Sequence, residues 1–357
     1  MHLRRLKISG IRLLQSVALE PGAGFNLLIG ANGAGKTSVL EAMYLLSRGR
    51  SFRGGGEEAL LRRGANSFEI FAEVGNASGG SHRVGLGRRS GRWECRLDGT
   101  VCSGLGELLR HFAMVCFEPG SHELLAGGAQ IRRRFLDWGV FHVEQSYLDT
   151  WRRYQRALKQ RNQLLRTGAR EVDLLPWEQE LDVLGTAIHS LRMAYLRSFE
   201  RCVQADATYL LPELGALQVS CRQGWPDGVP LRDALAASRE RDLARGHTGV
   251  GPHRADWRLV FEQAPEHLHL SRGQEKLAAL ACLFAQTAVY VECSGDWPVI
   301  GLDDLASELD GAHLERVIAR LRRCESQIWI TGTEKPSQLT GESSVMFHVE
   351  HGGITQA

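Results

Sequence analysis

Gly30-Ala-Asn-Gly-Ala-Gly-Lys36-Thr37 meets the spacing GxxxxGK[ST] at every fixed position. Ahead of it, Gly24-Phe-Asn-Leu-Leu-Ile29 reads as a strand, and behind it Ser38-Val-Leu-Glu-Ala-Met-Tyr-Leu-Leu46 reads as a helix. A strand, a glycine-rich turn and a helix N-terminus form a cradle for phosphate, because the glycines let backbone N–H groups curl round the oxygens and the helix dipole favours the negative charge. On this reading Gly30, Ala31, Asn32, Gly33, Ala34 and Gly35 wrap the phosphates of ATP. Lys36 reaches the β- and γ-phosphates, and the Thr37 hydroxyl binds Mg²⁺.

A second acidic element completes such a site. Pro298-Val-Ile-Gly-Leu302 is an apolar strand that ends in Asp303 and Asp304. Asp303 is placed to hold Mg²⁺ together with Thr37, and Asp304 to orient or deprotonate an attacking water. Upstream, Leu270-Ser271-Arg272-Gly273-Gln274-Glu-Lys276 opens a helix. Ser271 suits its N-cap, and Gly273 permits close backbone approach to a ligand. An ordinary capped helix would read the same way; its place 32 residues before Asp303 favours the nucleotide reading.

The whole chain bounds what this site can serve. Its 357 residues suggest about two domains. Net charge is only +2, so any nucleic-acid surface has to be a local patch. The eight cysteines are scattered and no pair has CxxC spacing, which argues against a zinc site or a disulfide scaffold and for a reducing compartment. No apolar run reaches the roughly 18 residues that a membrane span needs. The basic start Met1-His-Leu-Arg-Arg-Leu-Lys7 lacks the apolar core of a signal peptide and reads as a first strand, so cytoplasm is the expected location.

Periodicity divides the chain into three. Residues 1–115 carry short β-type runs such as Phe68–Val74 and Trp93–Leu97 round one helix. Residues 116–248 are mainly helical, with apolar positions Tyr147, Trp151, Tyr154 and Leu158, a helix over 177–207 opening at Trp177, and another over 229–245. Residues 249–357 return to α/β: strands at Asp256–Phe261, at 267–270 and at Trp297–Leu302, helices at Gln274–Val291 and 311–323, and a last strand at 327–330. There are no repeats and no sustained heptads. The expected class is α/β, with a β-rich N-terminal part and a helical insertion.

Ser271-Arg-Gly-Gln-Glu, its helix, Leu302-Asp-Asp304 and then Ser307-Glu308-Leu-Asp310 resemble the ABC-type ATPase head. The resemblance implies that Ser271, Arg272, Gly273 and Gln274 contact the γ-phosphate bound to a second subunit, and that Ser307, Glu308 and Asp310 form a D-loop crossing the dimer interface. ATP then joins two heads, because the γ-phosphate adds charge-assisted contacts that ADP lacks.

Within that superfamily the chain is similar to the RecF family of bacterial recombination mediators. The matching stretches are Leu28–Thr37, Leu40–Leu46, Gly49-Arg-Ser-Phe-Arg53, Arg132-Arg-Arg-Phe-Leu-Asp137, Gly251-Pro-His-Arg254, the Ser271 segment and Leu302–Asp304. This similarity implies an ATP-dependent homodimer that binds DNA at single-strand/double-strand junctions without sequence specificity. It acts with RecO and RecR, helps load RecA, and so supports repair and the SOS response. The family's N-terminal segment reads close to Phe-Arg-Asn-Tyr. Here Ile11-Arg12-Leu-Leu14 keeps the arginine, which the resemblance assigns to the nucleotide, and lacks the aromatic. Glu118-Pro-Gly120 stands where a serine-proline-acidic triplet is usual, and no Q-loop is assigned. No histidine occupies the switch position, which falls to Thr333 in Thr331-Gly-Thr333. Asp304 is one methylene shorter than the glutamate of fast ABC ATPases. Both departures predict slow hydrolysis, because water positioning is geometrically demanding.

Residues 151–166 carry six basic and no acidic side chains. On a helix Arg152, Arg156 and Lys159 share one face, and Trp151, Tyr154 and Leu158 another. That face and the run Arg132, Arg133, Arg134 are the candidate phosphate contacts for DNA. His253 in its turn is expected to be structural. Three other readings stand beside this one. An SMC-type ATPase would need long heptad arms, yet Lys36 and Ser271 are only 235 positions apart, which leaves room for a short arm. A transporter-type motor would need a membrane partner and faster turnover. A nuclease has no acidic cluster beyond Asp303–Asp310.

Overall fold

The structure is a computed structural model of the 357-residue chain and describes residues 1–265 and 270–357. The strand expected at 267–270 falls largely on residues outside that set. The chain divides into two compact units, residues 1–121 with 279–357, and residues 122–278.

The first unit holds two sheets. One is antiparallel, in the order β2-β1-β4-β5-β6-β7, formed by β1 (His2–Ile11), β2 (Leu14–Leu19), β4 (Ser67–Gly75), β5 (Ser81–Arg89), β6 (Arg92–Leu97) and β7 (Thr100–Val101). The other runs β14-β13-β3-β12-β11-β8, from β3 (Phe25–Ile29), β8 (Met114–Phe117), β11 (Val299–Leu302), β12 (Ile328–Gly332), β13 (Ser344–Glu350) and β14 (Gly353–Gln356). All its pairings are parallel except β13 with β14. Strands β8 and β11 are buried at every residue, as strands covered on both faces must be, whereas β1 alternates. Helix α1 (Lys36–Arg48) contributes Val39, Leu40, Met43 and Leu46 to one core with Leu6, Ile8, Ile70 and Leu86 of the antiparallel sheet and Trp329 and Phe347 of the parallel one. Short α2 (Leu105–Leu109), α9 (Leu305–Glu308) and α10 (Gly311–Leu321) also belong to this unit, as does the part of α8 (Arg272–Ser294) from Ala279 onward.

The second unit holds α3 (Glu123–Ala126), α4 (Ala129–Val143), α5 (Tyr147–Arg166), α6 (Glu171–Leu210), α7 (Leu231–Arg245) and the antiparallel pair β9 (Leu217–Arg222) and β10 (Asp256–Phe261). Phe135, Phe199 and Trp257 pack ring to ring in its core at 5.4–5.7 Å. Helix α6 is 40 residues long, about 60 Å at 1.5 Å per residue. That is the short helical arm; among the described residues no long coiled coil accompanies it.

Two expectations need correction. The C-terminal part of the head does not begin at 249. Strand β10 pairs with β9, Asp256 opposite Arg222, so residues 249–278 belong to the helical unit. Helix α6 starts at Glu171 rather than Trp177, with Pro176 inside. The proline removes only the N–H that would reach the Val172 carbonyl, at an exposed residue where water can replace it. Helix α8 is long and apolar enough to cross a membrane by length and composition alone, at mean hydropathy 1.5. However, 72% of that window is buried, and Leu277–Phe284 read as core.

Candidate functional site: a nucleotide pocket in the first unit

The loop between β3 and α1 is shaped by three glycines. Gly33 (φ 80°) and Gly35 (φ 115°) take left-handed conformations closed to most side chains. A Cβ at Gly30 would lie 2.1 Å from the Val349 carbonyl oxygen. The loop is held from behind by β13–β14, where the Gly352 N–H donates to the Ala34 carbonyl at 2.9 Å. In front lies a pocket of about 300 Å³ lined by Arg12, Asn32, Gly33, Gly35, Lys36, Thr37, Arg53, Asp304 and Thr331, among others. The first-turn N–H groups of α1 have no helical partners of their own and are donors for an anion.

Lys36 is 7% exposed and donates to the Gly30 and Ala31 carbonyls at 2.7 and 3.0 Å. Among the described residues no carboxylate pairs with it, so its charge is matched only by dipoles. The Thr37 hydroxyl donates to Asp303 Oδ1 at 2.8 Å, although the two residues are 266 positions apart. The Thr331 hydroxyl donates to the same oxygen at 2.8 Å and accepts the Asp304 N–H at 2.9 Å. Burial pushes the Asp303 carboxyl above the usual carboxylate range, with Asp304 adding to the rise; the Thr331 and Thr37 hydroxyls and Arg53 oppose it. A buried carboxylate beside a hydroxyl is a hard-oxygen pair suited to Mg²⁺, so these residues fit the expected ion. Asp304 follows β11 in the left-handed region at φ 53°, which turns it into the pocket lining. Arg12, also left-handed at φ 51°, makes a two-pronged pair with buried Glu41 at 3.0 and 2.8 Å.

The RecF/RecN/SMC N-terminal domain family matches residues 2–356. The chain belongs to this family. It is 49% identical over 360 residues to the DNA replication and repair protein RecF of Stenotrophomonas maltophilia (strain R551-3), covering 99% of each. It is 48% identical to the protein of the same name from Xanthomonas euvesicatoria pv. vesicatoria (strain 85-10), covering 100% of this chain and 99% of that one. Among solved structures, the recombination mediator protein RecF-ATP in the RecFOR pathway superposes with a TM-score of 0.91 at 27% identity, over 100% of this chain and 97% of the other. An Smc head bound to the C-winged helix domain of ScpA, at TM-score 0.61 and 14% identity, shares the fold, covering 100% of this chain and 97% of that one.

The remaining RecF-type residues divide by what they touch. Ser271 and Gln274 form a capping box at the start of α8: the Gln274 N–H donates to Ser271 Oγ at 3.3 Å, and the Ser271 N–H to Gln274 Oε1 at 3.0 Å. Arg272 and Gly273 open the helix. Asp310 N-caps α10, accepting from His313 N–H at 2.9 Å and His313 Nδ1 at 2.6 Å. Ser307 donates to the Asp304 carbonyl at 2.9 Å, and Glu308 closes α9. Thr333 is exposed beyond the end of β12; the contact with Asp303 is made by Thr331, the residue that follows Ile330, itself in register with Leu302. Thr331, not Thr333, therefore makes the contacts with Asp303 and Asp304.

The basic candidates are not equivalent. Arg132 is 5% exposed, pairs with Asp256 at 2.8 and 3.1 Å and donates to the Gly127 carbonyl, which removes it from any phosphate surface. Arg133 is half-buried and donates to the Ala255 carbonyl at 2.7 Å; Arg134 is exposed. Arg152, Arg156 and Lys159 are all exposed, opposite buried Tyr154 and Leu158. Of the six basic residues in that stretch, Arg161 is instead fully buried. His253 sits between Tyr154 and Thr248, as a structural residue does. Sequence reasoning missed Thr331, Glu41 and Ser51. Glu41 stood out as a lone acid inside an otherwise apolar helix face, and Ser51 lay in the matched stretch Gly49–Arg53, but neither carried an assigned role.

Proposed function

We propose that this chain is an ATP-gated DNA-binding protein of recombinational repair. Two copies close on ATP, DNA at a single-strand/double-strand junction is held meanwhile, and slow hydrolysis releases it. The observation that carries the reading is the convergence of Lys36, Thr37, Asp303 and Thr331 on one pocket, from segments nearly 300 positions apart. Its near-full-length identity to RecF proteins supports the pathway: action with RecO and RecR in loading RecA, in the cytoplasm.

In this reading the N–H groups of residues 33–37 and the Lys36 ammonium bind the β- and γ-phosphates. Thr37 and Asp303 hold Mg²⁺, which supplies neutralisation of the charge that develops on the phosphates. Asp304 orients the attacking water, and Thr331 fixes its backbone through the Asp304 N–H. The short Asp304 side chain makes the step slow, so hydrolysis times release. Ser271–Gln274 and Ser307–Asp310 reach the nucleotide of the second copy.

Light scattering tests this directly. Mass is measured without nucleotide, with ADP, with ATP, and with ATP plus gapped DNA. A dimer is expected only with ATP, and more of it with DNA. Lys36→Met stays monomeric, and Asp304→Asn accumulates as an ATP-bound dimer. Masses that ignore nucleotide in all three proteins would overturn the gating.

A further inference from the structure

Glu41 lies in α1 between Leu40 and Ala42, and all three are fully buried. A lone carboxylate in such a place must be compensated. Arg12 donates to it through Nε at 3.0 Å and Nη2 at 2.8 Å, Ser51 donates its hydroxyl, and Arg53 Nη1 lies 3.8 Å away. One carboxylate thus faces two guanidinium groups, and both arginines line the pocket that holds Lys36, Thr37 and Asp304. The positive excess lies on the side where phosphates would bind.

The two arginines are held differently. Arg12 is fixed at both ends: its backbone is left-handed and anchored by its N–H to the Leu60 carbonyl at 2.9 Å, and its side chain is gripped by a two-pronged pair. A non-glycine residue in that conformation persists only where its surroundings over-determine it. Arg53 is 40% exposed, and its backbone is tied to Ser51 Oγ at 3.0 Å just before Gly54 and Gly55, both left-handed.

We propose that Glu41 is a positioning residue for the nucleotide: it touches no ligand, but presets Arg12 and Arg53 as a two-arginine clamp on the anion in the pocket. An arginine already held in place loses little freedom when the anion arrives, and that is the gain in affinity. The inference rests on the ATP reading above.

Binding of a fluorescent ATP analogue with Mg²⁺ to the full chain, read by anisotropy, tests it. Glu41→Gln is expected to weaken binding about tenfold, the scale of a lost charge-assisted contact. Glu41→Asp keeps the charge but is too short for the two-pronged grip; it guards against a folding defect, and is expected to weaken binding less than Gln while melting like wild type without nucleotide. In a chain already carrying Arg12→Ala and Arg53→Ala, Glu41→Gln changes affinity by less than about twofold, because nothing is left to position. Equal losses in both backgrounds would show that Glu41 acts through packing and overturn the inference, as would an unchanged affinity in the single variants. Failure of the wild type to bind the analogue would instead sink the ATP reading itself.

Discussion

Cations packed into the core of the helical unit and cations lining the pocket, of which Lys36 is buried, Arg12 half-buried and Arg53 exposed, are matched in opposite ways. In the helical unit each is neutralised by acids of the same unit. Arg161, fully buried, meets Glu178 at 3.0 Å, Asp242 at 2.8 Å and the Thr248 hydroxyl at 2.9 Å, while Glu178 is shared with Arg239. Arg132 has Asp256, and Arg192 has Asp137 at 2.7 Å. In the pocket, Lys36 has two carbonyls, and Arg12 and Arg53 share one carboxylate. A buried charge with a full set of acids holds the fold. One left in excess is completed by something that arrives. Residue type does not distinguish the two: Arg161 and Arg156 sit five positions apart on α5, one internal and the other exposed.

The largest effect that could break this comparison is at Arg161. Arg161→Met leaves Glu178 and Asp242 buried with too little positive charge, and removing one partner of a buried pair costs about 3–5 kcal/mol. Denaturant unfolding followed by the tryptophans should show that loss, while ATP affinity below the transition stays at the wild-type value. Adding Glu178→Gln and Asp242→Asn to Arg161→Met should recover part of it, because apolar or neutral replacements of a whole ionic cluster are often tolerated. A loss under about 1 kcal/mol would mean that Arg161 does not carry the burden its contacts imply.

Lys36 shows why the pocket was legible and the helical unit less so. The phosphate loop is contiguous, and its chemistry is dictated by three glycines, one lysine and one threonine in fixed order. Asp303 could be placed against Thr37 because a strand ending in acids has few other partners in such a head. Thr331 could not be chosen over Thr333 without knowing that β12 lies beside β11, a non-local pairing. The boundary at 249 failed for the same reason: β10 looks like a strand of the head, and only its register with β9, more than thirty residues upstream, assigns it to the helical unit. A run of three arginines looks like surface, which is why the sequence alone offers Arg132 as a phosphate contact. Asp256, far away in sequence, is what buries it.

His253 sharpens the comparison with a smaller effect. Its Nε2 lies 3.1 Å from the Thr248 carbonyl, which can only accept, so Nε2 carries the proton and Nδ1 accepts from the Tyr154 hydroxyl at 2.6 Å. The neutral ring is fully satisfied. Burial, aided by Arg254 and Arg133 and opposed by the Thr248 hydrogen bond and Asp242, brings its pKa down to about 4. Below the ordinary pKa of 6.5 the unfolded chain takes up a proton that the folded chain refuses, so stability falls with pH between about 6.5 and 4. The full loss is about 3 kcal/mol at 1.4 kcal/mol per unit. Melting curves at pH 7.5 and 4.5 should show it in the wild type. His253→Gln should lose less between the two, whatever its stability at pH 7.5. Identical pH responses would mean that the helical unit does not depend on keeping this ring uncharged.

The smallest stability effect, and the most specific binding effect, belongs to the exposed face of α5. Arg152 is 54% exposed and only 4.0 Å from an 81% exposed Asp149, a surface pair worth little. Arg156 and Lys159 follow it at one-turn spacing. By the logic of the comparison these are cations in excess, but in water, so they wait for a polyanion with no cost to the fold. Arg152→Glu with Arg156→Glu should therefore move stability by no more than about 0.5 kcal/mol. DNA affinity should fall for every sequence tested, and the slope of log affinity against log salt should flatten by about 1 for each phosphate contact removed. Arg153, close by but paired with Glu180 at 2.7 Å, is the internal control: Arg153→Ala should change the slope least. An unchanged slope in the double reversal would take α5 out of the DNA surface and leave Arg133 and Arg134 as the remaining candidates of the helical unit.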